Sequence, residues 1–97
     1  MAKKKIIVRS EAGLFVGMAD PAVYKKELKD NCITLSDSMN INYYEGAASL
    51  HQLAQGNYKT IRLSPVVKTI YIKGTYFEIL DVEKKSKLYN STTNWEK

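Results

Sequence analysis

Cysteine and histidine are scarce in this sequence, which has one of each, Cys32 and His51. A single cysteine excludes an intramolecular disulfide and a cysteine-based zinc cluster. A single histidine leaves no pair for a histidine-based metal site. We therefore predict that the protein holds neither a metal nor a cofactor.

Long apolar segments and known catalytic motifs are also missing. Only three apolar residues, 6–8, follow the basic N-terminus, too few for a signal peptide, and no run approaches the roughly 18 that span a bilayer. The motifs of phosphate-binding loops, dinucleotide-binding folds, zinc proteases and serine hydrolases do not occur, and neither Asp37 nor Asp81 has a second carboxylate at a motif spacing. These absences, with the lone cysteine, predict a cytoplasmic protein that is not an enzyme and binds no membrane.

Arginine is rare although the chain is basic. There are 15 Lys and Arg against 10 Asp and Glu, a net charge of +5, but only Arg9 and Arg62 carry a guanidinium. The lysine excess fits phosphate-rich partners, and it equally fits a solvated surface.

The length and composition indicate one folded domain over residues 1–97. Hydrophobic residues make up 44 % and charged residues 26 %, both values typical of globular proteins. Alternating apolar and polar residues between Gly and Pro breaks predict six to seven short strands, near 4–9, 14–18, 32–35, 39–44, 59–64, 66–73 and 75–82. We expect the first two strands and the last two to form hairpins, a turn at 36–38, and Met39, Ile41 and Tyr43 on one face.

Helical spacing appears at Ala47, Leu50 and Ala54, followed by Gly56 at a C-cap position. We predict one helix over about 47–55 that docks on the sheet. Residues 22–30 fit either one or two helical turns or an extended loop. A short polar helix is expected at 83–89 and a mobile tail at 90–97. The predicted class is α+β, a mainly antiparallel small sheet or a partly open barrel.

The last two predicted strands are apolar on both faces. Such strands need a cover on both sides, and one short helix cannot supply all of it. A homo-oligomer would cover the second face and an edge together. The alternative is a closed barrel with ordinary surface tyrosines.

Two adjacent tyrosines, a glycine and a helix start make a candidate ligand mouth. Helix amides attract anions, a tyrosine ring offers a stacking surface, and basic residues of the next strand can approach. The alternative is that Tyr43 is a core residue and Gly46 only permits the turn. The candidate ligand-binding residues are Tyr43, Tyr44, Gly46, Ala47, Ala48, Ser49, Lys59 and Arg62.

The segment from Tyr43 to Gly56 (YYEGAASLHQLAQG) resembles a family of short phage-encoded proteins of uncharacterised function. In that family an aromatic strand leads into aromatic-x-Gly-Ala-x-x-Leu-x-x-Leu-Ala, with a glycine shortly after. The flanks at 11–17 and 78–80 also fit, although tyrosines stand where the family usually has tryptophan and residues 22–30 are extra. The resemblance implies a phage origin, and hence the host-cell cytoplasm as its location.

Three functions remain open. The first is a phage protein that counters host defence by sequestering an anionic nucleotide-derived signal in basic pockets of a homo-oligomer. The second is a nucleic-acid-binding accessory protein, which the scarcity of arginine disfavours. The third is an interaction module that inhibits a host protein through a sheet edge or aromatic patch. A nucleotide needs only one or two cations and an aromatic ring, so the composition favours the first.

Overall fold

The computed structural model describes residues 3–84 and 88. The tail predicted at 90–97 lies outside these residues, and so does most of the helix predicted at 83–89.

Six strands and two short helices make up the described chain. Every strand pair is antiparallel, and the strands form one open sheet, which confirms the predicted α+β class. In chain order the elements are β1 (Lys4–Ser10), β2 (Gly13–Ala19), α1 (Pro21–Leu28), β3 (Cys32–Glu45), α2 (Leu50–Ala54), β4 (Thr60–Leu63), β5 (Val67–Lys73) and β6 (Phe77–Asp81).

The long strand β3 organises one side of the sheet. The strand order is β4-β3-β2-β1-β6, and β5 pairs with the N-terminal half of β3. Ser36 has Met18 as its partner on one side and Thr69 on the other, so β5 lies on the edge of β3 that faces away from β2. The Ser64 amide bonds to the Asn40 carbonyl, and therefore β4 and β5 follow one another along that same edge.

The predicted hairpin of the last two strands is wrong, because β5 pairs with β3 and β6 pairs with β1. Only residues 74–76 connect β5 to β6. Four steps along a chain reach at most about 14 Å, whereas four strand spacings across a flat sheet need roughly 19 Å. The sheet must therefore coil until its two outer strands meet at this connection.

A carboxylate explains why the connection is not a hairpin turn. Glu11, in the turn between β1 and β2, accepts hydrogen bonds from the Thr75 amide at 2.8 Å, the Thr75 hydroxyl at 2.6 Å and the Tyr76 amide at 3.0 Å. These bonds hold the connection against the β1–β2 turn, so β6 is directed along β1 rather than back along β5. We call this arrangement the Glu11 clamp.

Two irregularities in β3 change which side chains lie on the faces that the sequence predicted. The turn predicted at 36–38 is a bulge inside one 14-residue strand, with Asp37 at φ +48°. A second register shift, between Ile41 and Tyr43, takes Tyr43 off the buried face that Met39 and Ile41 share. Each bulge inserts a residue, and simple alternation then assigns the following side chains to the wrong face.

Much of both faces of the sheet is covered within one chain. One face packs against α2, and the other is enclosed by the coiled sheet and by Tyr24 and Leu28 of α1. The apolar pattern is covered only in part within the chain, because Val67, Tyr71 and Tyr76 are 50 %, 75 % and 51 % exposed, and the homo-oligomer stays a prediction. Buried side chains of the first face include Ile7, Val16, Met39 and Ile41, which pack with Leu53 and Ala54 of α2, and those of the second include Ile6, Val8, Phe15, Ile33, Leu35 and Ile72.

Helix caps explain where the two helices begin. Asp20 caps α1 by accepting from the Ala22 amide at 2.9 Å, so of the two alternatives for residues 22–30 the helical one is right. Ser49 has extended backbone and caps α2, so that helix begins at Leu50 rather than at 47. α2 is accordingly shorter than the predicted helix.

Candidate functional site

The eight residues predicted to form one ligand mouth are divided among three places. Tyr44 and Ala47 pack against the core. Ala48 and Ser49 line a cavity beside α2. The other four, Tyr43, Gly46, Lys59 and Arg62, lie on or next to the β3–β4 ribbon.

Tyr43 and Arg62 are cross-strand partners on the solvent side of this ribbon. The Tyr43 side chain is 46 % exposed, and the Arg62 guanidinium carbon lies 5.8 Å from the centre of its ring. Such a cation–π contact contributes about 0.5–1 kcal/mol at an exposed site. The pair therefore presents a flat aromatic ring and a cation together to solvent.

The ribbon has two different faces because its residues alternate. Ile61 and Leu63 pack against the core and Arg62 is exposed, as predicted for β4. Tyr44 also packs against the core, which leaves Tyr43 on the outer face.

Gly46 brings the Lys59 segment close to the end of β3. Its φ is +89°, and a Cβ there would lie 2.7 Å from the Lys59 nitrogen. The Lys59 amide donates to the Glu45 carbonyl at 2.7 Å, which fixes the exposed Lys59 at the end of the ribbon. The role that the contacts give Gly46 is structural. We call Tyr43, Lys59 and Arg62 the ribbon surface.

The two arginines have different electrostatic surroundings. Arg9 forms an ion pair with Glu78. Within residues 3–84 and 88, Arg62 and Lys59 form no ion pair with a carboxylate. The ribbon surface therefore keeps its positive charge available for an anion.

Backbone amides at the start of α2 are bonded to side chains of the same segment. The Ala48 amide donates to the Gln52 side-chain oxygen at 2.7 Å, and the Gln52 amide donates to the Ser49 hydroxyl at 3.3 Å. This is a reciprocal cap of the kind that satisfies exposed helix amides. The Ala48 amide, a donor that the ligand hypothesis assigned to an anion, is thus already bonded.

The cavity beside α2 contains residues that the sequence analysis did not select. It has a volume of about 510 Å³. The Tyr76 hydroxyl forms hydrogen bonds with Arg9 and Glu78. These bonds raise the pKa of Arg9 and lower the pKa of Glu78, and the ion pair between the two residues shifts each pKa in the same direction. The Arg9–Glu78 pairing follows from the β1–β6 register, which no local pattern predicts. The lining residues are Arg9, Ala48, Ser49, Leu50, His51, Glu78, Ile79 and Leu80.

The described part of the chain contains no candidate metal-binding cluster. No group of three or more His, Cys, Asp or Glu side chains there is arranged to hold an ion. Cys32 is half-buried, and its thiol donates to the Glu27 carbonyl at 3.5 Å.

Together, the fold and the ribbon surface define a small α+β protein with one coiled, open antiparallel sheet. Comparisons with models of protein families, with curated proteins and with solved structures give no match to this chain. Among the described residues, no helix is long and apolar enough to cross a membrane. The resemblance to short phage proteins accordingly stays a prediction.

Proposed function

We propose that this protein is a non-enzymatic binding protein that holds an anionic nucleotide at the ribbon surface. One observation carries the proposal: a guanidinium without a carboxylate partner among the described residues lies over an exposed tyrosine ring. A nucleotide offers a flat base and a negative phosphate, which match these two groups.

Each residue of the ribbon surface has a separate role in this proposal. Tyr43 stacks on the base, a contact worth about 1–3 kcal/mol in proteins that bind single-stranded nucleic acid. Arg62 donates charge-assisted hydrogen bonds to a phosphate, worth roughly 1.5–3 kcal/mol. Lys59 adds a second positive charge at the end of the ribbon.

The wider role in the proposal rests on the resemblance to short phage proteins. A phage protein that sequesters a nucleotide-derived signal in the host cytoplasm would counter a host defence that depends on the signal. A homo-oligomer would bring several ribbon surfaces into one particle.

Calorimetric titration with a panel of linear and cyclic nucleotides, inorganic phosphate and a single-stranded oligonucleotide tests the proposal. We expect saturable nucleotide binding that Tyr43→Ala and Arg62→Ala each weaken by about tenfold or more. Tyr71→Ala and Lys68→Ala are matched controls, because both residues are exposed on β5 and lie outside the ribbon surface.

Unchanged binding in Tyr43→Ala and Arg62→Ala would contradict the proposal, and so would absence of binding to every nucleotide. Tighter binding to the oligonucleotide than to any mononucleotide would favour the nucleic-acid alternative.

A second candidate function is supported by strand β5. Within the described residues this strand pairs with β3 alone, and Val67 (50 % exposed) and Tyr71 (75 % exposed) lie on one of its faces. An unpaired strand edge beside exposed apolar side chains can accept a strand from another protein. An inhibitor of a host protein would use this edge.

A further inference from the structure

A charged pair lies on a face of the sheet that also carries core residues. On β1 and β6, alternation places Arg9 on the same face as Ile7, and Glu78 on the same face as Leu80. Ile7 is buried and Leu80 packs against the same core cluster, so apolar residues would be expected at positions 9 and 78 as well. A polar pair on a core face calls for an explanation more than an exposed apolar residue does.

The pair lies in the cavity because α2 is too short to cover the whole face. The five residues of α2 bury Leu50, Leu53 and Ala54 against the sheet. Beyond the start of the helix, Arg9 and Glu78 form one polar wall, and Ser49 and His51 add further polar groups. Leu50 and Leu80 supply apolar walls, and this mixture of polar and apolar walls is typical of small-molecule sites.

The charges of this cavity select against ions. The side chains of Arg9 and Glu78 are 47 % and 37 % exposed and neutralise one another. An incoming anion would meet the Glu78 carboxylate, and an incoming cation would meet the Arg9 guanidinium. A neutral molecule meets neither repulsion.

Donors and acceptors remain on both members of the pair. An arginine has five N–H donors and a carboxylate has lone pairs for about four hydrogen bonds, more than the ion pair and the Tyr76 hydroxyl use. Because Oε1 of Glu78 is buried, a ligand would bond to the other oxygen of this carboxylate. Two neighbouring hydroxyl groups can donate to the carboxylate and accept from the guanidinium in one plane. Vicinal hydroxyls of a sugar ring have this geometry.

From this arrangement we infer that the cavity between α2 and the β1–β6 pair binds a neutral sugar ring through its vicinal hydroxyls. Arg9 and Glu78 hold the hydroxyls, and the apolar walls contact the carbon face of the ring. The ring can belong to a saccharide or to the ribose of a nucleoside. This site shares no residue with the ribbon surface, and the inference is independent of the nucleotide proposal.

Amide NMR titration of the ¹⁵N-labelled protein tests the inference. The probes are methyl pyranosides and disaccharides for the saccharide source, and adenosine with 2′-deoxyadenosine for the ribose source. We expect saturable shifts at Arg9, Ser49, His51 and Glu78. Loss of the shifts on going from adenosine to 2′-deoxyadenosine identifies a ribose, and shifts with pyranosides identify a saccharide.

Glu78→Gln and Arg9→Gln should each weaken binding by about tenfold or more, because each removes a charge-assisted hydrogen bond. The matched controls are Asp81→Asn and Lys4→Gln, which alter the other ion pair between the same two strands, Lys4–Asp81 at 3.5 Å, outside the cavity. The controls should bind as the original chain does, and their spectra show whether the fold tolerates loss of a β1–β6 ion pair.

Three results would overturn the inference. They are absence of saturable shifts with every sugar and nucleoside, equal weakening by the Asp81→Asn control, and displacement of the bound sugar by inorganic phosphate at these four amides. The last result would identify an anion site instead.

Discussion

At the residue scale, Gly46 and Gly13 allow the energetic cost of a positive φ to be distinguished from that of a steric clash. Gly46 and Gly13 both have positive φ, +89° and +137°. A Cβ at Gly13 would meet its nearest atoms at 3.7 Å, an ordinary contact, whereas a Cβ at Gly46 would lie 2.7 Å from the Lys59 nitrogen. The two positions therefore make a matched pair.

We expect Gly46→Ala to destabilise the protein more than Gly13→Ala does. Each substitution costs about 1–3 kcal/mol for the strained φ, and Gly46→Ala must also move the backbone of Lys59. Urea unfolding of the two variants measures the difference. An equal loss of unfolding free energy in the two variants would show that the Lys59 backbone moves at little cost. The close approach of Gly46 would then not hold the ribbon surface in place.

At the element scale, the Glu11 clamp makes the β5–β6 connection sensitive to acid. Hydrogen bonds from the Thr75 hydroxyl, and then from backbone amides, lower the pKa of Glu11 from 4.5 to about 2. A group whose pKa is lower in the folded state binds its proton more weakly there than in the unfolded state. The clamp's stabilisation is therefore complete above about pH 4.5 and is lost as the pH falls toward 2.

Glu11→Gln should lower the melting temperature at pH 7 and flatten its fall between pH 4.5 and 2, because an amide has one acceptor oxygen where the carboxylate has two. Glu78 also has a lowered pKa, through the Tyr76 hydroxyl first and Arg9 next, so some acid sensitivity stays in the variant. Glu45→Gln, which alters an exposed carboxylate outside the clamp, is the control. A Glu11→Gln profile parallel to that of the original chain would show that the clamp does not couple to folding.

The strands show which parts of the fold the sequence pattern could predict. Period-two alternation and Gly/Pro breaks located the strands, because a half-buried strand needs that pattern wherever it is paired. The same pattern could not show that β5 and β6 pair with different strands, since that depends on Glu11, more than sixty residues away from Thr75. It also missed the β3 bulges, which moved Tyr43 to the solvent side of its ribbon.

Only those features of the candidate site that depend on residues close together in the sequence were predictable. Arg62 was predicted to face solvent because it alternates with the apolar Ile61 and Leu63. Tyr43 was selected as one of two adjacent tyrosines, although alternation placed it on the face of Met39 and Ile41. Whether Arg62 would approach a tyrosine depended on strand order, which the local pattern does not contain. Arg9 and Glu78 are not among the residues selected from the sequence as ligand-binding, and they become neighbours only through the β1–β6 register.

At the scale of the whole molecule, coiling supplies part of the cover that a second subunit was expected to supply. The strands on the two outer sides of the sheet, β5 and β6, both contribute to the core cluster that also contains Ile6, Val8 and Phe15. On β5, coiling leaves uncovered the outer edge and the face that carries Val67 and Tyr71. A homo-oligomer of this protein would therefore use β5, through its edge and the face that carries Val67 and Tyr71.

Light scattering tests this expectation. The homo-oligomer predicts a mass above the 11.0 kDa of one chain. Tyr71→Glu and Val67→Lys should return the mass to that of one chain with an unchanged melting temperature, because both side chains lie outside the core. Val23→Lys is the control, since Val23 is comparably exposed but lies on α1. A mass of one chain for the original protein would contradict the homo-oligomer and leave the β5 edge free for the strand of a different partner.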